Sequence, residues 1–447
     1  MPGAKANLKA NRRLSFLMYA LGYLGIAVFT QTTVKWYQFY YAPPEANQFA
    51  LRALVPISLI GVAMVLARIV DGLADPVVAY YSDRSRHRLG RRIPFILYGS
   101  LPLAATFILL WFPPVRGESL LNLVYLAVML SLFFIFFTVV VAPYLALIGE
   151  LTRTGQERMA VTTLQGVAQV LGVMIAEAGS GLLIAAWGFP VMGVVLGLFS
   201  LLTVLLTPAF VKEELVPPQE APAVSLVDSV QMTLRNRNFA LYLASYLAIW
   251  FGINTLTIAM PYITEVLLGK SADHSGYLIA GAFVLALLVS PFLPKVAERY
   301  SKKQIMLATS ALFALILAAT GLFGTLIPYP AAAALVVLAG VPLAVIFVVP
   351  NAMVADLAEL DGLEHGQRRE GMFFGVQGLI MKVVIGLSSL VTPLLFKAFG
   401  YSAARPLGLQ IAGPLAGAAV LLGLCALSRY DLEEGVLAAK RVARGLN

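Results

Sequence analysis

The amino-acid sequence predicts an all-α polytopic membrane protein of twelve transmembrane helices, built as two six-helix pseudo-repeats. Three observations carry this prediction. Hydrophobic residues are 60% of the 447 and charged residues only 12%, about half the charged share of an ordinary soluble domain. Apolar runs of about 20 residues or more, each able to cross a hydrocarbon core of about 30 Å as a helix, recur along the whole chain. The third observation is that a motif in the first half returns in the second.

In order, the first half places spans at residues 14–41, 53–81, 93–112, 120–149, 160–186 and 190–210. The first follows a polar, basic stretch of 13 residues and is too long for a signal-peptide core, so it is expected to stay. The second carries Arg68, Asp71 and Asp75 inside its apolar run, the fourth Pro143, and the fifth Glu177 in mid-helix. The second half places spans at 239–268, 275–297, 304–326, 331–357, 371–398 and 405–428. Trp250 and Asn254 fall on the seventh, Ser290-Pro291 on the eighth, Val349-Pro350 on the tenth and Lys382 on the eleventh.

Between the halves, 211–238 is the longest hydrophilic segment, with Lys212-Glu213-Glu214 and Pro217-Pro218, a linker composition. The domain reading is therefore 1–210, linker 211–238, and 239–447 ending in a tail. About 24 of the 32 Lys and Arg lie in the N-terminus, the even-to-odd loops, the linker and the tail, against about five on the other side. That bias predicts cytoplasmic termini and a multi-pass protein of the cell membrane. The net charge of +9 is accounted for by this placement, so no nucleic-acid partner is expected. One cysteine, Cys425, excludes an internal disulfide, and three scattered histidines make no metal cluster.

The repeat is explicit in the residues. Asp75-Pro76 leads to Asp83-Arg84 and then Arg91-Arg92; Ser290-Pro291 leads at the same distance to Glu298-Arg299 and then Lys302-Lys303. Ala142-Pro143 leads to Glu150, as Val349-Pro350 leads to Asp356. Parallel six-helix repeats around a midplane cavity are the architecture of major-facilitator transporters. Laying Pro76 on Pro291 sets Asp71 against Ala286 and Asp75 against Ser290; Gln165-Gly166 laid on Gln377-Gly378 sets Lys382 against Val170. The scaffold does not require these charges, which marks them as chemistry.

Ionisable residues at membrane depth are costly and stand as functional candidates. Arg68, Asp71 and Asp75 are spaced three and four apart, on one face of a helix. Two carboxylates a turn apart repel, which favours a proton, a monovalent cation or an ammonium between them. Asp71 and Lys382 both lie about ten residues, or roughly 15 Å, from the cytoplasmic face. Lys382 is thus expected to bridge the halves when no cation is bound. The competing reading is a structural ion-pair cluster that only ties the halves together. Arg68 is expected to pair locally or to answer an anionic substrate, and Glu177 to be a second proton group or a residue facing cavity water. Asp83, Arg84, Arg91, Glu298 and Arg299 are expected to form a cytoplasmic latch.

The run Arg68 through Asp75-Pro76 to Tyr81-Ser82-Asp83-Arg84, with Gly90-Arg91-Arg92-Ile93-Pro94, resembles the glycoside/pentoside/hexuronide:cation symporter family, as in the melibiose permeases. So does Asp356-Leu357 through Gly366-Gln367-Arg368-Arg369 to Gln377 and Lys382, and the similarity covers essentially the whole chain. The resemblance implies a cation site of Asp71 and Asp75 with Thr138 and Lys382 beside it, and alternating-access symport driven by Na⁺ or H⁺ with no other cofactor. Hard oxygens suit Na⁺ or Li⁺. Ala74 stands where the family's sodium sites often carry Asn, which strengthens the case for H⁺.

The family's galactoside site is altered. Gly22-Tyr23, Val141 and Leu145 replace its acids and its Trp, and Gln165 or Gly166 its Arg. The substrate is then another sugar held by Tyr23, Arg68, Gln165, Trp250, Asn254 and Gln377, or alternatively a lysolipid or other amphipath, whose carriers share this scaffold. Asp71, Asp75 and Asp83 also resemble the motifs of Mg²⁺-dependent intramembrane prenyltransferases, but a second acidic motif is missing. The expected partners are a small-molecule substrate and the bilayer, for a protein acting as a monomer.

Overall fold

The computed structural model describes residues 2–152, 154–212, 235–365 and 370–430. Most of the linker, the Gly366 to Arg369 part of the second family motif and the tail after residue 430 lie outside the described residues. Among those described, the secondary structure is helical, with two isolated bridges and no strand.

The helices are α1 (Pro2–Tyr41), α2 (Ile57–Arg84), α3 (Ile93–Leu109), α4 (Leu120–Leu151), α5 (Gly155–Met174), α6 (Ser180–Phe210) and α7 (Arg237–Tyr262). They continue with α8 (His274–Val289), the short α9 (Leu293–Ala297), α10 (Lys302–Ala319), α11 (Tyr329–Leu338), α12 (Gly340–His365), α13 (Glu370–Phe399) and α14 (Leu407–Ser428). Five-residue π-helical turns follow α5 at Ile175–Gly179 and α7 at Ile263–Leu267.

Among the described residues, ten helices are long and apolar enough to cross a membrane. Two features separate this number from the twelve predicted spans. The third span is a shorter apolar helix, Ile93–Leu109. The fifth and sixth run together as one 55-residue helical segment, Gln156–Phe210, broken at Gly188. There φ is +83°, a left-handed conformation that glycine adopts without a Cβ penalty, and Pro190 follows. All twelve predicted runs are helical.

Helix starts are fixed by local chemistry. Ser119, Thr154 and Asn236 accept from the backbone N–H three residues on, and Ser301 with Gln304 forms a full capping box at α10.

The chain divides into two compact units, Met1–Glu220 with Lys270–Ala280, and Ala221–Gly269 with Gly281–Asn447. In the first unit α1 packs against α5 and α6, α2 against α4, and α3 against α4 and α6. In the second, α7 packs against α13 and α14, and α10 against α12 and α14. The first span of each repeat thus meets its fifth and sixth, and the third meets its fourth and sixth.

Candidate functional site

The predicted acidic site assembles inside the first unit, between α2 and α4. Asp71 is 1% exposed, and the Thr138 hydroxyl donates to its Oδ1 at 2.7 Å. The same hydroxyl oxygen is 3.2 Å from Asp75 Oδ1. Arg68 Nη1 lies 3.4 Å from Asp71 Oδ2, and its guanidinium covers the Phe134 ring at 3.8 Å from the centroid, within cation–π range. Asp75 is half-buried. A Cβ added at Gly72, between the two acids, would meet nothing within 4 Å.

This geometry has a definite chemical consequence. A hydroxyl carries one proton, so Thr138 satisfies one carboxylate and turns a lone pair toward the other. Three hard oxygens around one point favour a small cation or a proton over further hydrogen bonding. Among the described residues no group of three or more His, Cys, Asp or Glu side chains is placed to hold a metal ion.

The equivalent place in the second unit is neutral. Ser290, at the position of Asp75, donates its hydroxyl at 2.7 Å to the carbonyl of Ala286, at the position of Asp71. The helix also tightens to a 3₁₀ turn at Ser290–Phe292, whereas Pro76 sits within a continuous α2. The positions that match Asp71 and Asp75 carry no carboxylate there.

The remaining candidates are distributed over both units. Lys382 is half-buried on α13 of the second unit. In that unit Asn254 donates to Ser388 Oγ at 2.5 Å and approaches Ser389 Oγ at 3.4 Å, which fixes α7 to α13. Gln377 accepts from the Tyr242 hydroxyl at 3.3 Å, and Trp250 packs between Tyr246 and Phe347. In the first unit Tyr23 leans on Tyr144, with ring centroids 5.9 Å apart, and Gln165 is half-buried on α5. Gly22 is filled by its neighbours rather than open, since a Cβ there would overlap Thr207 and sit 3.0 Å from the Tyr144 hydroxyl.

Two of the basic residues at the cytoplasmic end of the first-unit motif meet an acid from the end of α4. Arg91 Nη2 meets Glu150 Oε1 at 2.6 Å and Arg92 Nε meets the same oxygen at 3.0 Å. In the second unit Lys302 Nζ meets Asp356 Oδ2 at 2.6 Å. Arg84 instead covers the Tyr80 ring at 3.8 Å, and Glu298 and Arg299 are exposed on the turn before α10. The side chain of Asp83 lies outside the described residues. Glu150 and Asp356, which marked the repeat in the sequence, are thus its ion-pair acceptors.

Sequence reasoning also missed a charged pair. Lys35 on α1 is 0% exposed and Glu177, in the π-helical turn after α5, is 1% exposed. Lys35 Nζ lies 2.9 Å from Glu177 Oε2 and donates at 2.9 Å to the Glu177 carbonyl oxygen. Glu177 therefore does not face cavity water. The signal was present, a lysine and a glutamate each inside an apolar run of the same half, but nothing in the local pattern pairs residues 142 positions apart.

Ten membrane-length apolar helices among the described residues and the family match over most of the chain make this a multi-pass membrane transporter and not an enzyme. The chain belongs to the MFS/sugar transport protein family, which it matches over residues 18–433. It is 23% identical to an uncharacterised symporter of Synechocystis, covering 87% of this chain and 86% of that protein. It is 22% identical to the isoprimeverose transporter of Lactiplantibacillus pentosus, covering 78% and 74%, and 22% identical to the sodium-dependent lysophosphatidylcholine symporter 1 of Gallus gallus, covering 88% and 85%. Its fold is that of the nucleoside transporter NupG, with a TM-score of 0.65 at 12% identity over 94% of this chain and all of that one.

Proposed function

We propose that the protein is a cation-coupled symporter that carries a sugar or glycoside by alternating access between two six-helix halves, with both termini cytoplasmic in the cell membrane. The observation that supports this most is the convergence of Asp71 and Asp75 on the single hydroxyl of Thr138. A Na⁺ or a proton there neutralises the like-charge repulsion. Without it, Lys382 takes the cation's place, so coupling is competition for one carboxylate cluster. One chain carries both halves and acts as a monomer. The Synechocystis and Gallus relatives are named symporters, the Gallus one sodium-dependent, and the Lactiplantibacillus relative an isoprimeverose transporter, which supports cation-coupled symport of a small molecule.

A second reading, transport of a lysolipid, draws on the Gallus relative and on the apolar residues at the galactoside positions, where Leu145 is 43% exposed. One experiment separates the two. Thermal stability of the purified protein and of Asp75→Asn is followed over sugars and lysolipids, with and without Na⁺ or Li⁺ and at several pH values, since binding to the folded state raises apparent stability. Sugar stabilisation that grows with Na⁺ and vanishes in Asp75→Asn is the expected result. Stabilisation by lysolipids alone replaces the substrate, a response to pH alone makes the ion H⁺, and unchanged responses in Asp75→Asn sink the coupling reading.

A further inference from the structure

The Lys35–Glu177 pair is remote in sequence from the carboxylate site and serves no step of the proposed coupling, yet it is among the most deeply buried charge in the chain. Its surroundings are built to approach it closely. Trp36 Nε1 donates at 2.7 Å to Ser180 Oγ, locking α1 to the start of α6 on either side of the pair. Glu177 sits in a π-helical turn, an irregularity that recurs at functional sites. Within the first unit the segment Lys270–Ala280 lies directly on the two charges. A Cβ at Gly276 would overlap the Glu177 carbonyl oxygen and sit 3.0 Å from Lys35 Nζ. One at Gly181 would sit 3.0 Å from the carbonyl oxygen of Asp273. Glycine at 276 is what lets a backbone rest on the pair. The ionisable groups the segment brings are Lys270, Asp273, His274 and Tyr277; Asp273 and His274 face each other with Nδ1 3.6 Å from Oδ1, and Asp273 acts electrostatically on Lys35. The helix that carries Gly276 belongs to the second unit from Gly281 onward.

A seal over ions differs from a seal over hydrocarbon. Taking two charges out of water costs as much as, or more than, their attraction returns, and an apolar pair of similar volume is commonly at least as stable when buried. Water that reaches the pair when the seal lifts recovers that loss, so the ions make the covered state easier to leave. We propose that Lys35 and Glu177 are the core of a gate on the extracellular side, covered by Gly276 when shut and hydrated when the segment Lys270–Ala280 lifts. The side rests on the orientation proposed above; the gating does not. An apolar plug at the same place would hold the gate shut.

Labelling tests this without substrate or coupling ion. The exposed Cys425 is replaced by Ser, and Ser275, which is fully buried in the segment and donates to the Ala272 carbonyl, by Cys. Reaction with a membrane-impermeant maleimide is timed in intact cells and in inside-out vesicles carrying the full chain. Lys35→Met, which leaves Glu177 buried without its cation, is expected to raise the rate about tenfold. Lys35→Met with Glu177→Leu is expected to lower it about fivefold below the parent, and the charge-reversed Lys35→Glu with Glu177→Lys to stay within about threefold. If Lys35→Met does not fold, the double and reversed variants carry the comparison. A double variant that labels as fast as the parent or faster overturns the gate. Labelling confined to inside-out vesicles overturns the orientation instead and moves the gate to the other face.

Discussion

Asp71 and Asp75 are both carboxylates of one site, yet their removal is expected to act on stability in opposite directions. Asp71 is the counter-ion of Arg68, whose side chain is 11% exposed against 2% for Asp71. Asp71→Asn leaves a largely buried guanidinium without its partner, a change that typically costs about 3–5 kcal/mol. Asp75 is half-buried and shares the Thr138 hydroxyl at the longer distance of 3.2 Å. Carboxylates sharing one hydroxyl lie on the order of 5 Å apart, where like charges repel by about 3 kcal/mol at an effective dielectric of about 20. Solvent access to Asp75 reduces what its removal returns to about 1–2 kcal/mol. With about 2.1 cal/mol/K per residue over 447 residues, 1 kcal/mol corresponds to about 1 °C. In cation-free detergent solution and on a Lys382→Ala background, where no lysine can stand in for the ion, Asp71→Asn should therefore melt about 3–5 °C below the parent and Asp75→Asn about 1–2 °C above it, while on the wild-type background both lose any stabilisation by the coupling ion. Differential scanning fluorimetry reads all four numbers. If Asp71→Asn melts no lower than Asp75→Asn, Arg68 does not depend on Asp71 and the charge assignment is wrong.

Three further outcomes are expected. Thr138→Val should weaken half-saturation by the coupling cation at least about tenfold, equivalent to one charge-assisted hydrogen bond of about 1.5 kcal/mol, whereas Thr138→Ser keeps it within about twofold in the same titration. Glu150→Gln, which removes the partly buried carboxylate that Arg91 and Arg92 share, should lower the melting temperature by at least about 2 °C, while Asp356→Asn, whose pair is 31% and 20% exposed, should change it by under about 1 °C. Asn254→Ala should cost about 1 kcal/mol in stability through the lost hydrogen bond to Ser388 and leave the ligand preference in the same melting panel unchanged; a changed preference would support Asn254 as a substrate residue.

The helical architecture was legible because the bilayer imposes a single strong constraint, a backbone satisfied within each apolar run, and the runs are long. The boundary between the fifth and sixth spans, placed between residues 186 and 190, falls at Gly188, where the chain leaves helical φ/ψ. Asp71 and Asp75 stood out as carboxylates in hydrocarbon, and their spacing toward Arg68 gave the local ion pair. Thr138 carried no signal of its own, since threonine is at home in an apolar helix; only the family resemblance pointed to it. Lys35, Arg68 and Lys382 are the lysines and arginines that lie within the spans, away from their ends, and Lys35 was passed over because it stands six residues from the end of its run, where a lysine can reach the headgroups. Its actual partner required knowing that α1 packs on α5. The pairing of Arg91 and Arg92 with Glu150 shows the same limit, for Glu150 stands 59 positions from Arg91, at the end of α4.

The neutral Ser290–Ala286 hydrogen bond in the second unit also bears on energy conversion. Duplication offered two places for a charge-bearing site, and one of them has been closed with a hydroxyl. On the proposed mechanism a single monovalent ion then accompanies each uncharged solute molecule, so every turnover moves one net positive charge inward. The membrane voltage contributes directly, at about 2.3 kcal/mol per 100 mV, which alone sustains an accumulation of about 50-fold. On that mechanism the stoichiometry, and with it the steepest gradient the carrier can hold, follows from one missing pair of carboxylates.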